Sequence, residues 1–111
     1  MSTEPRYEYA GDPEAAARIR KALKGVIDPE MALDVVELGL VYRVEAGDKA
    51  TRARITMTSA ACPVTEYIVE EVGHALREAR PGVPVDVELT WDPAWTPERM
   101  SDSARSAMGW E

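Results

Sequence analysis

The stretch TRARITMTSAACPVTEYIVEEVGHALREARPGVPVDVELTW, residues 51–91, reads as a strand, a helix and a strand in that order. Ala53, Ile55 and Met57 alternate with Arg52, Arg54 and Thr56. A period of two predicts a half-buried strand, with the second set facing water. Small residues from Thr58 to Cys62 make a short loop. Pro63 suits the first position of a helix, where its missing N–H costs nothing. Val64, Ile68, Val72, Ala75, Leu76 and Ala79 then fall on one helical stripe, with Glu66, Glu70, His74, Arg77 and Glu78 off it. Arg80-Pro81-Gly82 stops that helix. Val85, Val87, Leu89 and Trp91 alternate with Asp86, Glu88 and Thr90 as the next strand. If the two strands share a sheet in parallel, the crossover through the helix is right-handed.

Upstream, Leu40, Tyr42 and Val44 face one way and Val41, Arg43 and Glu45 the other, so a strand precedes the polar connection Ala46-Gly47-Asp48-Lys49. Asp12-Pro13 predicts a helix start. Ala15, Ile19, Ala22, Leu23 and Val26 give that helix its apolar side, and Gly25 is placed to end it in a left-handed conformation. Downstream, Thr96-Pro97 caps a last helix that Gly109 ends. The prediction is therefore an α+β domain of two layers, α-β-β-α-β-α. Its small three-stranded sheet is covered by helices on one face. Residues 1–11 read as a flexible tail and residues 12–111 as a single domain.

The chain has 111 residues, enough for one core, and no Phe. Its net charge of −7 disfavours nucleic acid and anionic membrane surfaces as partners. The N-terminus lacks a signal-peptide core, and no apolar run approaches the ~20 residues that span a bilayer. A lone cysteine excludes an internal disulfide and points to the cytoplasm.

That cysteine is the most informative residue. With Pro63 at the first helical position, Cys62 is the N-cap. The helix dipole and the unpaired N–H groups of Val64 and Thr65 then favour a thiolate, the form that binds metal. Glu66 and the overall charge oppose it. The plain alternative is a small buried hydrophobe. The only histidine, His74, lies twelve residues further on, ~18 Å along the axis. No base therefore accompanies the thiol, and a hydrolase is not expected. A dithiol oxidoreductase lacks its second cysteine. Asp28 and Glu30 flank Pro29. Each is either a metal ligand or part of a turn started by proline, and the turn is the simpler reading. Thr58 is placed to hydrogen-bond the sulfur or to cap its strand. Asp34 and Glu37 read as exposed acids. Gly39 reads as a bulge or a close backbone approach, and Gly73, inside the long helix, as a place of close packing against another element or another chain.

Asp28-Pro29-Glu30, Val35-Val36-Glu37-Leu38-Gly39-Leu40-Val41-Tyr42, Thr58 with Cys62-Pro63, and the Trp- and Pro-containing segment before Gly109-Trp110 together resemble the SufT and PaaD-like family of metal–sulfur cluster assembly proteins. The resemblance covers residues 14–111. It implies an auxiliary factor or carrier in iron–sulfur protein maturation, not an enzyme, working with assembly machinery or client apoproteins. It makes Cys62 the functional thiol and matches Asp28, Glu30 and Thr58 to family motif positions. An iron–sulfur cluster normally takes four cysteine ligands. One thiol per chain therefore implies a labile cluster shared between subunits, as in a homodimer. The PaaD branch, associated with a phenylacetyl-CoA oxygenase system, carries further C-terminal cysteines that are missing here. An accessory subunit of such a system is thus the weaker alternative, beside a protein–protein adaptor with a structural cysteine.

Overall fold

The computed structural model describes residues 7–58 and 64–109. Its elements are β1 (Glu8–Gly11), α1 (Ala16–Leu23), β2 (Ile27–Asp28), β3 (Leu33–Asp34), β4 (Val41–Ala46), β5 (Thr51–Ile55), α2 (Thr65–Ala79), β6 (Val85–Leu89), a 3-10 turn (Pro97–Arg99) and α3 (Asp102–Ala107). The α+β reading holds. The sheet, however, has four strands in the order β1-β4-β5-β6 instead of three. Glu8–Gly11, expected within a tail, pairs in parallel with β4 along that edge. Four residues of mixed character are too short to show a period.

β5 keeps the expected alternation. Thr51, Ala53 and Ile55 are buried, and Arg52 and Arg54 are exposed. Thr56, expected to face water, is fully buried. The pairing with β6 ends at Ile55, and the Thr56 amide donates instead to the Leu40 carbonyl at 2.8 Å. β4 departs from its predicted alternation for a different reason. Val41 pairs with Ile55 and Arg43 with Arg54, so Tyr42 is an extra residue in a bulge. The bulge turns Val41 inward with Val44 and Ala46, and leaves Tyr42 and Arg43 half-buried.

β5 and β6 are parallel, joined through α2. Ile68, Val72, Ala75, Leu76 and Ala79 are the buried stripe of α2, and Ile19 and Leu23 are that of α1. Each fully buried Ile or Leu contributes about 1.5–3 kcal/mol of transfer free energy. The opposite sheet face is polar, with Arg54 3.3 Å from Glu88 and Arg43 3.5 Å from Glu8. The Arg18 guanidinium donates to the Ala79 carbonyl at 3.2 Å, so the start of α1 meets the end of α2.

The helix ends differ from the sequence pattern in three places. Asp12 caps a turn (Glu14 N–H to Oδ1, 2.9 Å) one turn ahead of α1. Gly25 does not take a left-handed conformation. Its amide closes a tight turn on Ala22 instead, at 3.1 Å. The predicted last helix is split: Thr96-Pro97 opens the 3-10 turn, and Ser101 caps α3 through Oγ to the Ala104 amide, at 3.0 Å. Gly109 ends α3 with φ of 77°, as predicted.

Because β5 and β6 run together and α2 returns against them, one end of the sheet gathers the chain's informative segments. The end of β5, the start of α2, the start of β4, the end of β6 and the turn after α1 all meet there.

Candidate functional site

Asp28 sits at this end and is only 2% exposed. Its Oδ1 accepts the amides of Glu30 at 2.8 Å and Met31 at 3.3 Å, while its carbonyl accepts the Ala32 amide at 2.7 Å. The carboxylate therefore satisfies donors in a turn that Ala32 completes with φ of 58°. Glu30 is exposed. Thr58 is half-buried, just past the fully packed Met57. Cys62 and Pro63 lie outside the described residues.

Regular α2 geometry begins at Thr65, with Val64 in the cap position (φ −98°, ψ 9°) and accepting the Ile68 amide at 2.9 Å. The cap position expected for Cys62 thus belongs to Val64. The ψ of Val64 lies outside the helical range, so the helical repeat starts only after it. His74 is exposed on α2, 3.8 Å from Glu78, and belongs to no nucleophile–base pair among the described residues.

Two acids read as exposed do structural work at this end. Asp34 Oδ1 accepts the amides of Val36 at 3.0 Å and Glu37 at 2.9 Å. Burial pushes its carboxyl above the ordinary aspartate range, partly opposed by these amide donors. Glu37 is largely buried. Its Oε1 accepts from Ser101 Oγ at 2.6 Å, and its Oε2 lies 3.7 Å from Lys24 Nζ. The signal that could have found them is the Asp-x-x-Glu spacing of a local cap.

Residues 34–42 are the seat of the C-terminal segment. Trp95 Nε1 donates to the Leu38 carbonyl at 2.7 Å, Tyr42 donates to the Pro93 carbonyl at 2.7 Å, and the Ser101 amide donates to the Glu37 carbonyl at 2.9 Å. The Arg99 guanidinium stacks 4.4 Å above the Tyr42 ring. A groove of about 540 Å³ opens beside this segment, lined among others by Val36, Val41, Tyr42, Arg54, Arg99 and Met100.

Among the described residues, no group of three or more His, Cys, Asp or Glu side chains could hold a metal ion. Asp28 is committed to its turn, so the described donors do not fit a resident metal centre. Among the described residues, no helix is long and apolar enough to cross a membrane.

Fold and site define a small α+β protein whose packed sheet end is formed by the Asp28 turn and the seat of the C-terminal segment. The sequence profile of the family described as iron–sulfur cluster assembly protein matches residues 16–91. The Fe-S protein maturation auxiliary factor YitW of Bacillus subtilis strain 168 is 41% identical over 92 residues, covering 82% of this chain and 90% of that protein. The Fe-S protein maturation auxiliary factor SufT of Staphylococcus aureus strain USA300 is 39% identical over 85 residues, covering 76% and 97%. The crystal structure of a domain of unknown function from Bacillus anthracis superposes with a TM-score of 0.80 at 38% identity, covering 88% of this chain and 94% of that one. The chain belongs to the iron–sulfur cluster assembly protein family.

Proposed function

We propose that this protein is a non-enzymatic auxiliary factor in iron–sulfur protein maturation, working in the cytoplasm, with Cys62 as the thiol that engages iron or a cluster in transit. The observation that carries this reading is the match to two relatives named as maturation auxiliary factors over 90% and 97% of their own lengths. The lone thiol supports transfer over storage. It supplies one of the roughly four thiolates that a cluster takes, so the cargo is held between polypeptides and leaves readily. Thr58 and Pro63 flank the thiol in sequence and are the residues assigned to support it. Asp28 holds the neighbouring turn and does not serve as a ligand. The assembly machinery and client apoproteins are the partners on this reading.

Anaerobic reconstitution of the wild type and Cys62→Ser with iron and sulfide tests it. Visible cluster absorption and bound iron are expected in the wild type and absent in Cys62→Ser. In a deletion strain, restoration of cluster-enzyme activity by the wild type but not by Cys62→Ser completes the test. Equal restoration by both would remove the thiol from the mechanism and leave an adaptor role.

A further inference from the structure

β6 is an edge of the sheet, paired on one side with β5 and on the other with nothing among the described residues. The bonds that frame the pairing fix which backbone groups it uses. Thr51 lies opposite Val85 and donates its amide to the Pro84 carbonyl at 2.8 Å. Ile55 lies opposite Leu89, and its carbonyl accepts the Thr90 amide at 2.8 Å. In a parallel ladder of that register, the N–H and C=O groups of Asp86 and Glu88 point to β5. Those of Val85, Val87 and Leu89 point the other way, into the open edge. No hydrogen bond meets these three residues there among the described residues.

Sheet edges are usually blunted by a proline, a lysine, a bulge or a very short strand. β6 has five residues, contains no proline or lysine, and keeps an unbroken register with β5. Its side chains are incompletely covered as well. Val85, Val87 and Leu89 pack on the core but stay half-buried, whereas Ala53 and Ile55 on the neighbouring strand are buried. One added strand would supply both bonds for the outward backbone groups and cover for the apolar row.

The other face of β6 carries Asp86 and Glu88, both exposed. Arg54 is 3.3 Å from Glu88 and Arg52 lies in register with Asp86, so this face is mixed in charge and calls for no basic occupant. It does disfavour acids placed directly opposite the two carboxylates. A second copy places them there. Antiparallel self-pairing about Val87 uses all three outward residues, and sets Asp86 of each chain against Glu88 of the other. A ladder of five residues a side is also small beside the roughly 20–30 residues a side of a stable interface. The occupant that fits is a different polypeptide, met transiently.

We propose that the outer edge of β6 receives an extended segment of a partner polypeptide as an added strand. Its apolar residues lie at alternate positions beside Val85, Val87 and Leu89, and the residues between them are neutral or basic, not acidic. The backbone ladder provides affinity and the alternation provides selectivity. No thiol takes part, so strand addition can fail or succeed independently of cluster binding.

The test uses a short synthetic peptide that alternates valine with threonine and has a lysine at each end. It is added in excess to ¹⁵N-labelled full-length protein, and amide hydrogen exchange is read residue by residue. In the free protein the amides of Asp86 and Glu88 should be protected, while those of Val85, Val87 and Leu89 exchange freely. The peptide should slow these three by about tenfold or more. Glutamates in place of the threonines should weaken binding roughly fivefold. A strand turns alternate amides towards its neighbour. N-methylation of one alternate set, the valines or the threonines, should therefore abolish binding, and N-methylation of the other should leave it intact. Cys62→Ser should bind like the wild type. Binding by both methylated peptides or by neither, protection gained away from β6, or no binding at all would overturn the proposal. Protection of the same three amides that rises with protein concentration, without peptide, would also overturn it, in favour of a second copy.

Discussion

Gly39 packs directly against the backbone carbonyl of Arg99, and a Cβ there would overlap that oxygen. Its φ of +74° is also one that side-chain-bearing residues rarely adopt. Both effects oppose any substitution. The left-handed conformation alone costs about 1–2 kcal/mol, and the overlap pushes the 3-10 turn off its seat. Gly39→Ala should therefore lose more than about 2 kcal/mol, a fall of some 8 °C or more in Tm for a domain of this size. Cleavage in the segment around Trp95 and Arg99 should appear in limited proteolysis before the core unfolds. A variant as stable as the wild type, with that segment protected, would show that the close approach is not needed.

The glycine itself was legible in the sequence as a close approach, but its partner was not. Gly39 and Arg99 are sixty residues apart, and nothing in local periodicity links them. The same limit explains Glu37. The Asp34-x-x-Glu37 spacing marks a local cap, but the burial of the Glu37 side chain depends on Ser101 arriving from the C-terminal segment. Where side-chain period carried the information, as in β5, β6 and α2, strand and helix were read correctly. The bulge at Tyr42 and the short edge strand β1 broke or evaded that period. At the candidate site the sequence located the Asp28 turn. The position of the helix cap depends on backbone angles at Val64 that no residue type announces.

Asp34 gives a pH dependence with a definite sign. Burial, the largest effect on this carboxyl, holds its folded pKa above the ordinary 3.8, with the amides of Glu37 and Val36 acting the other way. A raised folded pKa means that the folded state prefers the protonated form. The group's contribution to stability is therefore complete below the unfolded value and is lost as pH rises through the folded one. Asp34→Asn keeps an oxygen for the two amides and removes the ionisation. Relative to wild type, this variant should gain stability as pH increases through the acidic range above 3.8, then hold a constant advantage at neutral pH. Paired thermal melts across that range measure it. Parallel curves for the two proteins would mean that the carboxyl titrates alike in both states.

Gly73 is buried within α2, but no neighbouring element crowds it. An added Cβ would first meet the Arg77 guanidinium at 3.5 Å, an ordinary contact with a movable group. Close packing of this position against another element is therefore absent among the described residues. Gly73→Ala should stabilise the protein by roughly 0.5–1 kcal/mol by reducing the freedom of the unfolded chain. Denaturant midpoints of the two proteins provide the check. A loss of stability that grows with protein concentration would reveal another chain packed on this stretch of helix.

Asp28 separates a structural carboxylate from a ligand. Its Oδ1 already accepts two backbone amides, and the side chain is almost wholly buried, so its work is to hold the turn from Glu30 to Ala32. Asn has the same shape and offers the same acceptor oxygen, but it is a poor metal ligand because it carries no charge. Asp28→Asn should therefore stay within about 1 kcal/mol of wild type and restore cluster-enzyme activity in a deletion strain. Asp28→Ala leaves the Glu30 and Met31 amides without their acceptor and should cost about 1–3 kcal/mol. If Asp28→Asn folded normally but failed to restore activity, the negative charge itself would be required. Asp28 would then join Cys62 as a direct participant, and the turn would be the means of aiming its carboxylate.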